Sequence, residues 1–91
     1  MELNFTKEGK RWVAIFDATS DFNLHIEKEH NGFLFVSQRT SSQGEYDSIN
    51  GADFSKVDKV IDFDFSGVVY PKSIKIESEV EPTIGVVTFA Q

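Results

Sequence analysis

The sequence predicts an all-β chain, a single-domain antiparallel β-sandwich or small barrel of about seven to eight short strands over residues 1–91. Three observations point there. Apolar and polar residues alternate with period two in one segment after another, as in strands with one wet and one dry face. Gly, Asn, Pro and Ser clusters punctuate the chain at a spacing of about ten residues. No segment carries the three-four spacing of an amphipathic helix.

The elements follow in order. Leu3 and Phe5 alternate with polar neighbours, and Lys7 to Lys10 (KEGK) offers a Gly-containing turn into RWVAIFDAT, which predicts a first hairpin. In that second segment Trp12, Ala14, Phe16 and Ala18 share one face, while Arg11, Val13, Ile15, Asp17 and Thr19 share the other. Phe22, Leu24 and Ile26 then alternate with Asp21, Asn23, His25 and Glu27. Asn31-Gly32 follows as a hairpin signal, so FLFVSQRT is expected to return beside DFNLHIEKE as a hairpin over residues 21–40.

Residues 41–56 (SSQGEYDSINGADFSK) are polar and rich in Ser, Asp and Gly, and predict a long connection crossing between sheets, with a binding loop as the alternative and room for a short strand near Tyr46 or Ile49. KVIDFDF places Ile61, Phe63 and Phe65 opposite Val60, Asp62 and Asp64. SIKIESEV repeats the pattern with Ile74, Ile76, Ser78 and Val80. The closing TIGVVTFA, β-branched and uncharged, predicts a more buried strand.

Composition limits the function. Fifteen Asp and Glu against nine Lys and Arg give a net charge of −6, and such a surface repels phosphate backbones, so no nucleic-acid partner is expected. With no cysteine there is neither a disulfide framework nor thiolate chemistry. No stretch approaches the roughly 20 apolar residues of a membrane-spanning helix. MELNFTKEGKRW lacks the charged start and apolar run of an export signal, so a soluble protein of the cytoplasm or of a virion is expected.

DFDFSG, residues 62–67, is the stretch that most invites chemistry. Counted as a calcium loop from Asp62, it supplies Asp62, Asp64, Ser66 and Gly67 where an EF-hand wants oxygens and a glycine. The position of the bidentate glutamate holds Ser73 instead, Pro71 interrupts the loop, and both flanks alternate as strands where helices are required. VIDFDFSG also resembles the start of the signature of phosphotransferases whose nucleophilic Asp ends a buried parallel strand. That family requires a doubly wound α/β sheet, and this chain has neither the length nor a βαβ pattern. DFDFSG therefore reads as a strand, with Phe63 and Phe65 inside and Asp62 and Asp64 in water.

Strand parity puts His25 and Glu27 on one face, and these two with Asp62, Asp64 and Ser66 are the candidate metal ligands. Residues along one strand diverge rather than converge on an ion, so no metal or other cofactor is expected. Gly-x-Ser-x-Gly and phosphate-cradling Gly-rich loops are both missing, and no catalytic residue is assigned. The nine Phe read as core, whereas Trp12, Tyr46 and Tyr70 could offer stacking surfaces to a ligand, with Arg39 as a further partner-binding candidate. The expected function is a non-enzymatic structural or assembly protein that self-associates or docks on a larger particle, by class analogy with accessory proteins of phage particles. A carbohydrate-binding module is the alternative, and a small metal-dependent enzyme the third.

Overall fold

The alternating segments form eight strands in the computed structural model, which describes residues 1–39, 44–54, 59–66 and 72–90. They are β1 (Thr6–Glu8), β2 (Arg11–Ala18), β3 (Phe22–Glu27), β4 (Leu34–Arg39), β5 (Asp47–Phe54), β6 (Val60–Phe65), β7 (Lys72–Ser78) and β8 (Ile84–Phe89). Two antiparallel sheets result, one ordered β1-β2-β7-β4-β5 and the other β6-β3-β8. The chain is thus all-β, in a sandwich-like arrangement. No helix among the described residues is long and apolar enough to cross a membrane.

Both sheets turn their apolar parity inward. Phe16 and Ala18 from β2, Leu34 and Val36 from β4, and Ile74 and Ile76 from β7 meet Phe22, Leu24 and Ile26 from β3, Ile61 and Phe65 from β6, and Val87 from β8. Phe22 stacks on Phe65 with ring centroids 4.8 Å apart, and Phe16 meets Phe22 edge-on at 5.3 Å. Such pairs add roughly 0.5–1.5 kcal/mol each beyond the area they bury. The radius of gyration, 12.2 Å, is that of a compact chain of this length.

The first hairpin forms as the sequence predicts. Glu8 pairs with Arg11 across a two-residue turn, and Gly9 takes the left-handed φ of 64° that only glycine adopts without cost. Leu3 and Phe5, however, lie outside β1. Leu3 N–H donates to Gly85 O at 2.9 Å, Glu2 bridges Val86, and residues 1–3 thereby line the outer edge of β8.

The hairpin expected over residues 21–40 does not form. β3 pairs with β6 and β8, whereas β4 pairs with β7 and β5 in the opposite sheet. Period-two parity requires the apolar faces of β3 and β4 to be buried, and they are, but against each other across the sandwich rather than side by side. The connection 28–33 spans the roughly 10 Å between sheets. In it, buried Lys28 donates from Nζ to Gly32 O. Gly32 is needed for space, since a Cβ there would stand 2.6 Å from Val80 Cγ2.

Two further expectations are corrected. The polar stretch 41–56 is not merely a crossover: the short strand allowed for near Ile49 is an eight-residue strand, β5 (Asp47–Phe54), which pairs with its sequence neighbour β4, and the change of sheet comes after it. Leu34 and Phe35 face Phe54 and Asp53, then the register shifts and Ser37 and Gln38 face Ser48 and Asp47. Asn50 and Gly51 fall in that irregularity, which hides the strand's full length from a period-two search. The closing strand β8 is not the more buried one. It is an edge strand in which only Val87 is fully buried and Ile84 is exposed. Its apolar residues receive Leu3 and Phe5 rather than a second flanking strand.

Candidate functional site

Each sheet has an outward face, and both carry organised side chains. On the three-stranded sheet, Asn23, His25 and Glu27 project outward from β3, with Asp64 and Asp62 opposite the first two in β6. His25 Nδ1 stands 3.0 Å from Asp62 Oδ2 and its Nε2 2.8 Å from Glu27 Oε2. Asn23 Nδ2 donates to Asp62 Oδ1 at 2.6 Å and to Asp64 Oδ1 at 2.9 Å. Ionised carboxylates only accept, so this geometry is fully satisfied when both imidazole nitrogens carry protons, and it favours the imidazolium form of His25.

Electrostatics agree with that geometry. The hydrogen bonds to Glu27 and then Asp62 raise the His25 pKa above its ordinary 6.5. Asp62, receiving hydrogen bonds from Asn23 and His25, is lowered below 3.8. The pair His25 and Glu27, same-face neighbours by parity, is thus joined to Asp62 and Asp64, which parity alone could not connect to them. Ser66 is exposed just beyond β6. No group of three or more His, Cys, Asp or Glu among the described residues is arranged to hold a metal ion. In the imidazolium form both ring N–H groups donate to carboxylates, Nδ1 to Asp62 and Nε2 to Glu27.

The outward face of the five-stranded sheet has a different character. Val13, Glu77 and Phe35 stand side by side across β2, β7 and β4, with Ile15, Lys75 and Ser37 in the next row. Phe33 stacks on Phe35 with centroids 5.9 Å apart, and the Arg11 guanidinium lies 5.3 Å over the Phe35 ring while Nη1 pairs with Glu77 at 3.1 Å. A groove of about 220 Å³ runs between Lys10, Arg11, Phe33, Phe35, Glu77 and Glu79. Ile15 is 55% exposed and Phe33 44% exposed.

Tyr46 extends this face. Its hydroxyl is 2.7 Å from Ser73 Oγ, and the cationic groups of Arg39 and Lys75 lie 4.5 and 5.4 Å from its ring. Tyr46 and Arg39, both singled out from the sequence, are therefore brought together. Trp12 is not part of the cluster. Its parity in β2 is that of Ala14 and Phe16, so it is half-buried at the inner end of the strand beside Lys7, 6.0 Å from the ring. Tyr70 lies outside the described residues.

Sequence reasoning missed Arg11, Ile15, Phe33 and Phe35 as surface features. The signal was there in RWVAIFDAT, whose second face carries Val13 and Ile15 beside Arg11 and Asp17, so apolar residues sit on both sides of one strand. One further hollow, about 390 Å³, opens at the end of the sandwich over Phe22, Phe65 and Phe89, with Asn23, Asp64 and Thr88 at its rim.

Fold and surfaces together define an all-β sandwich whose two outward faces are chemically distinct, one a hydrogen-bonded acidic and histidine network, the other aromatic and arginine-bearing. No family model, no curated protein and no solved structure matches the chain.

Proposed function

We propose that this protein is a non-enzymatic structural or assembly module that self-associates or docks on a larger particle through the outward face of its five-stranded sheet. The observation that carries the proposal is the exposure of Ile15 and Phe33 on a face that also displays Phe35, Arg11, Tyr46 and Arg39. Aromatic and arginine side chains are the residues enriched at protein interfaces, and the aromatic ones bury large areas with little loss of side-chain freedom. Exposed large apolar side chains on one sheet face of a small acidic chain are otherwise a liability for solubility. Accessory structural proteins of phage-type particles are the class analogy, and they define the kind of partner to seek.

Light scattering coupled to size-exclusion chromatography, run over a concentration series, tests the proposal together with pull-down of candidate assembly partners. Concentration-dependent association, or partner capture, that is reduced at least about tenfold by Ile15→Lys or Phe33→Ser is the expected result. Association unaffected by both substitutions would remove the outward face from the proposal.

A carbohydrate-binding module is the second reading, favoured by the hollow over Phe22, Phe65 and Phe89 with its amide, carboxylate and hydroxyl rim. Sugars are bound by such pairings of apolar floor and polar edge. Calorimetric titration with a glycan panel distinguishes it, because heat lost in Asn23→Ala would favour sugar binding over assembly.

A further inference from the structure

Residues 1–8 are attached to the molecule along two sheet edges. Val87 N–H donates to Met1 O and the Met1 amino group donates to Val87 O, both at 2.8 Å, and Leu3 N–H donates to Gly85 O at 2.9 Å. Leu3 and Phe5 then pack on the core over Gly85. A Cβ at Gly85 would stand 2.9 Å from Phe5 Cε2, so this glycine forms the notch in which the phenyl ring lies. Beyond it, β1 adds Thr6, Lys7 and Glu8, all exposed, to the edge of β2.

On its C-terminal side this strap joins the body through Gly9 and Lys10 alone. A Cβ at Gly9 would meet nothing within 4 Å, so the residue is glycine for its φ of 64° and not for space. That left-handed turn is required only while the hairpin is closed. If the hinge straightens, β1 and β2 run on as one extended strand and no positive φ is needed.

We propose that residues 1–8 are an exchangeable strap whose partner is a second copy of this chain: the hinge at Gly9-Lys10 opens, and each copy lays its strap on the β8 edge, the Gly85 notch and the β2 edge of the other. The occupant already fits the site, because every contact the strap makes within one chain is available unchanged between two. The balance between the forms is then set by hinge conformation and protein concentration. The inference rests on the reading of this protein as a self-associating module and adds a second contact between copies, along the sheet edges rather than through the outward face.

The absence of cysteine makes the test clean. Glu2 and Val86 are bridge partners, within disulfide reach of one another. Glu2→Cys and Val86→Cys proteins are purified separately, mixed at high concentration, oxidised, and analysed by mass spectrometry of non-reduced species. Exchange yields the mixed disulfide that joins the Glu2→Cys chain to the Val86→Cys chain, and Gly9→Val, which burdens only the closed turn, raises its yield about tenfold. The double variant Glu2→Cys/Val86→Cys, oxidised when dilute, closes within one chain and stays monomeric. Mixed disulfide no more abundant than random pairing, with the double variant closing normally, overturns the exchange. Failure of the double variant to close overturns the strap geometry itself. A dimer seen by light scattering without the mixed disulfide overturns exchange while leaving association through the outward face intact.

Discussion

His25 is the residue at which charge, hydrogen bonding and stability meet. Two carboxylates favour its doubly protonated form, so its contribution to stability is fully present below the unfolded pKa near 6.5 and is lost as pH rises through the higher folded value. Asp62 works in the opposite direction. Its pKa is depressed, so its contribution is present above about 3.8 and is lost as pH falls through the lower folded value. The network is therefore complete between about pH 4 and pH 6.5. Urea midpoints measured at about pH 5.5 and about pH 8 should fall with rising pH in the unaltered protein, and this fall should be much smaller in His25→Gln. An equal fall in both proteins would assign the pH dependence elsewhere. Because the groups are solvent-exposed, the effect should also shrink in high salt.

At the scale of elements, position within the sheet decides what a strand contributes. β3 is the centre of the three-stranded sheet, paired on both sides, and Ile26 is fully buried. β8 is its edge, and Ile84 is 43% exposed. Ile26→Ala should cost roughly 2–5 kcal/mol through lost burial and the cavity left behind, whereas Ile84→Ala should stay within roughly 0.5 kcal/mol. Chemical denaturation of the two variants checks the contrast, and comparable losses would refute the edge assignment of β8. The same scale separates what alternation can reveal from what it cannot. It found β2, β3, β6 and β7 with their buried faces, including Phe65 inside and Asp62 outside. It allowed only a short strand near Ile49 where β5 runs from Asp47 to Phe54, because the shifted register around Asn50-Gly51 breaks the period.

For the whole molecule, topology is the governing property. Among the eight strands of the described residues, only β1–β2 and β4–β5 are sequence neighbours that pair, and every other connection changes sheet. Most of the core must therefore form by contacts between residues far apart in sequence, and loop-closure entropy opposes each one before burial offsets it. Refolding from denaturant should be slow for a chain of this size, in the range of roughly milliseconds to seconds. Stopped-flow fluorescence of Trp12 measures it, and relaxation in microseconds would contradict the sheet-switching topology.

The fold class, the inward and outward face of most strands, and the turn at Gly9 follow from local sequence alone, because period-two alternation and positive-φ glycine act locally. The sequence also brings Tyr46 and Arg39 forward, as an aromatic and a cation, without placing them on one face. Which strands lie side by side is set instead by packing between distant parts of the chain. Strand parity states that Phe22, Leu24 and Leu34 are buried, but burial is satisfied equally by a hairpin partner or by the sheet across the core. The Asn31-Gly32 signal therefore pointed to a hairpin where the chain changes sheets. The His25 network belongs to the same kind: Glu27 is a neighbour by parity, while Asp62 reaches the imidazole only because β6, 37 residues on, pairs with β3. Hydrogen bonds between strands depend on register, and register is set by the whole core at once.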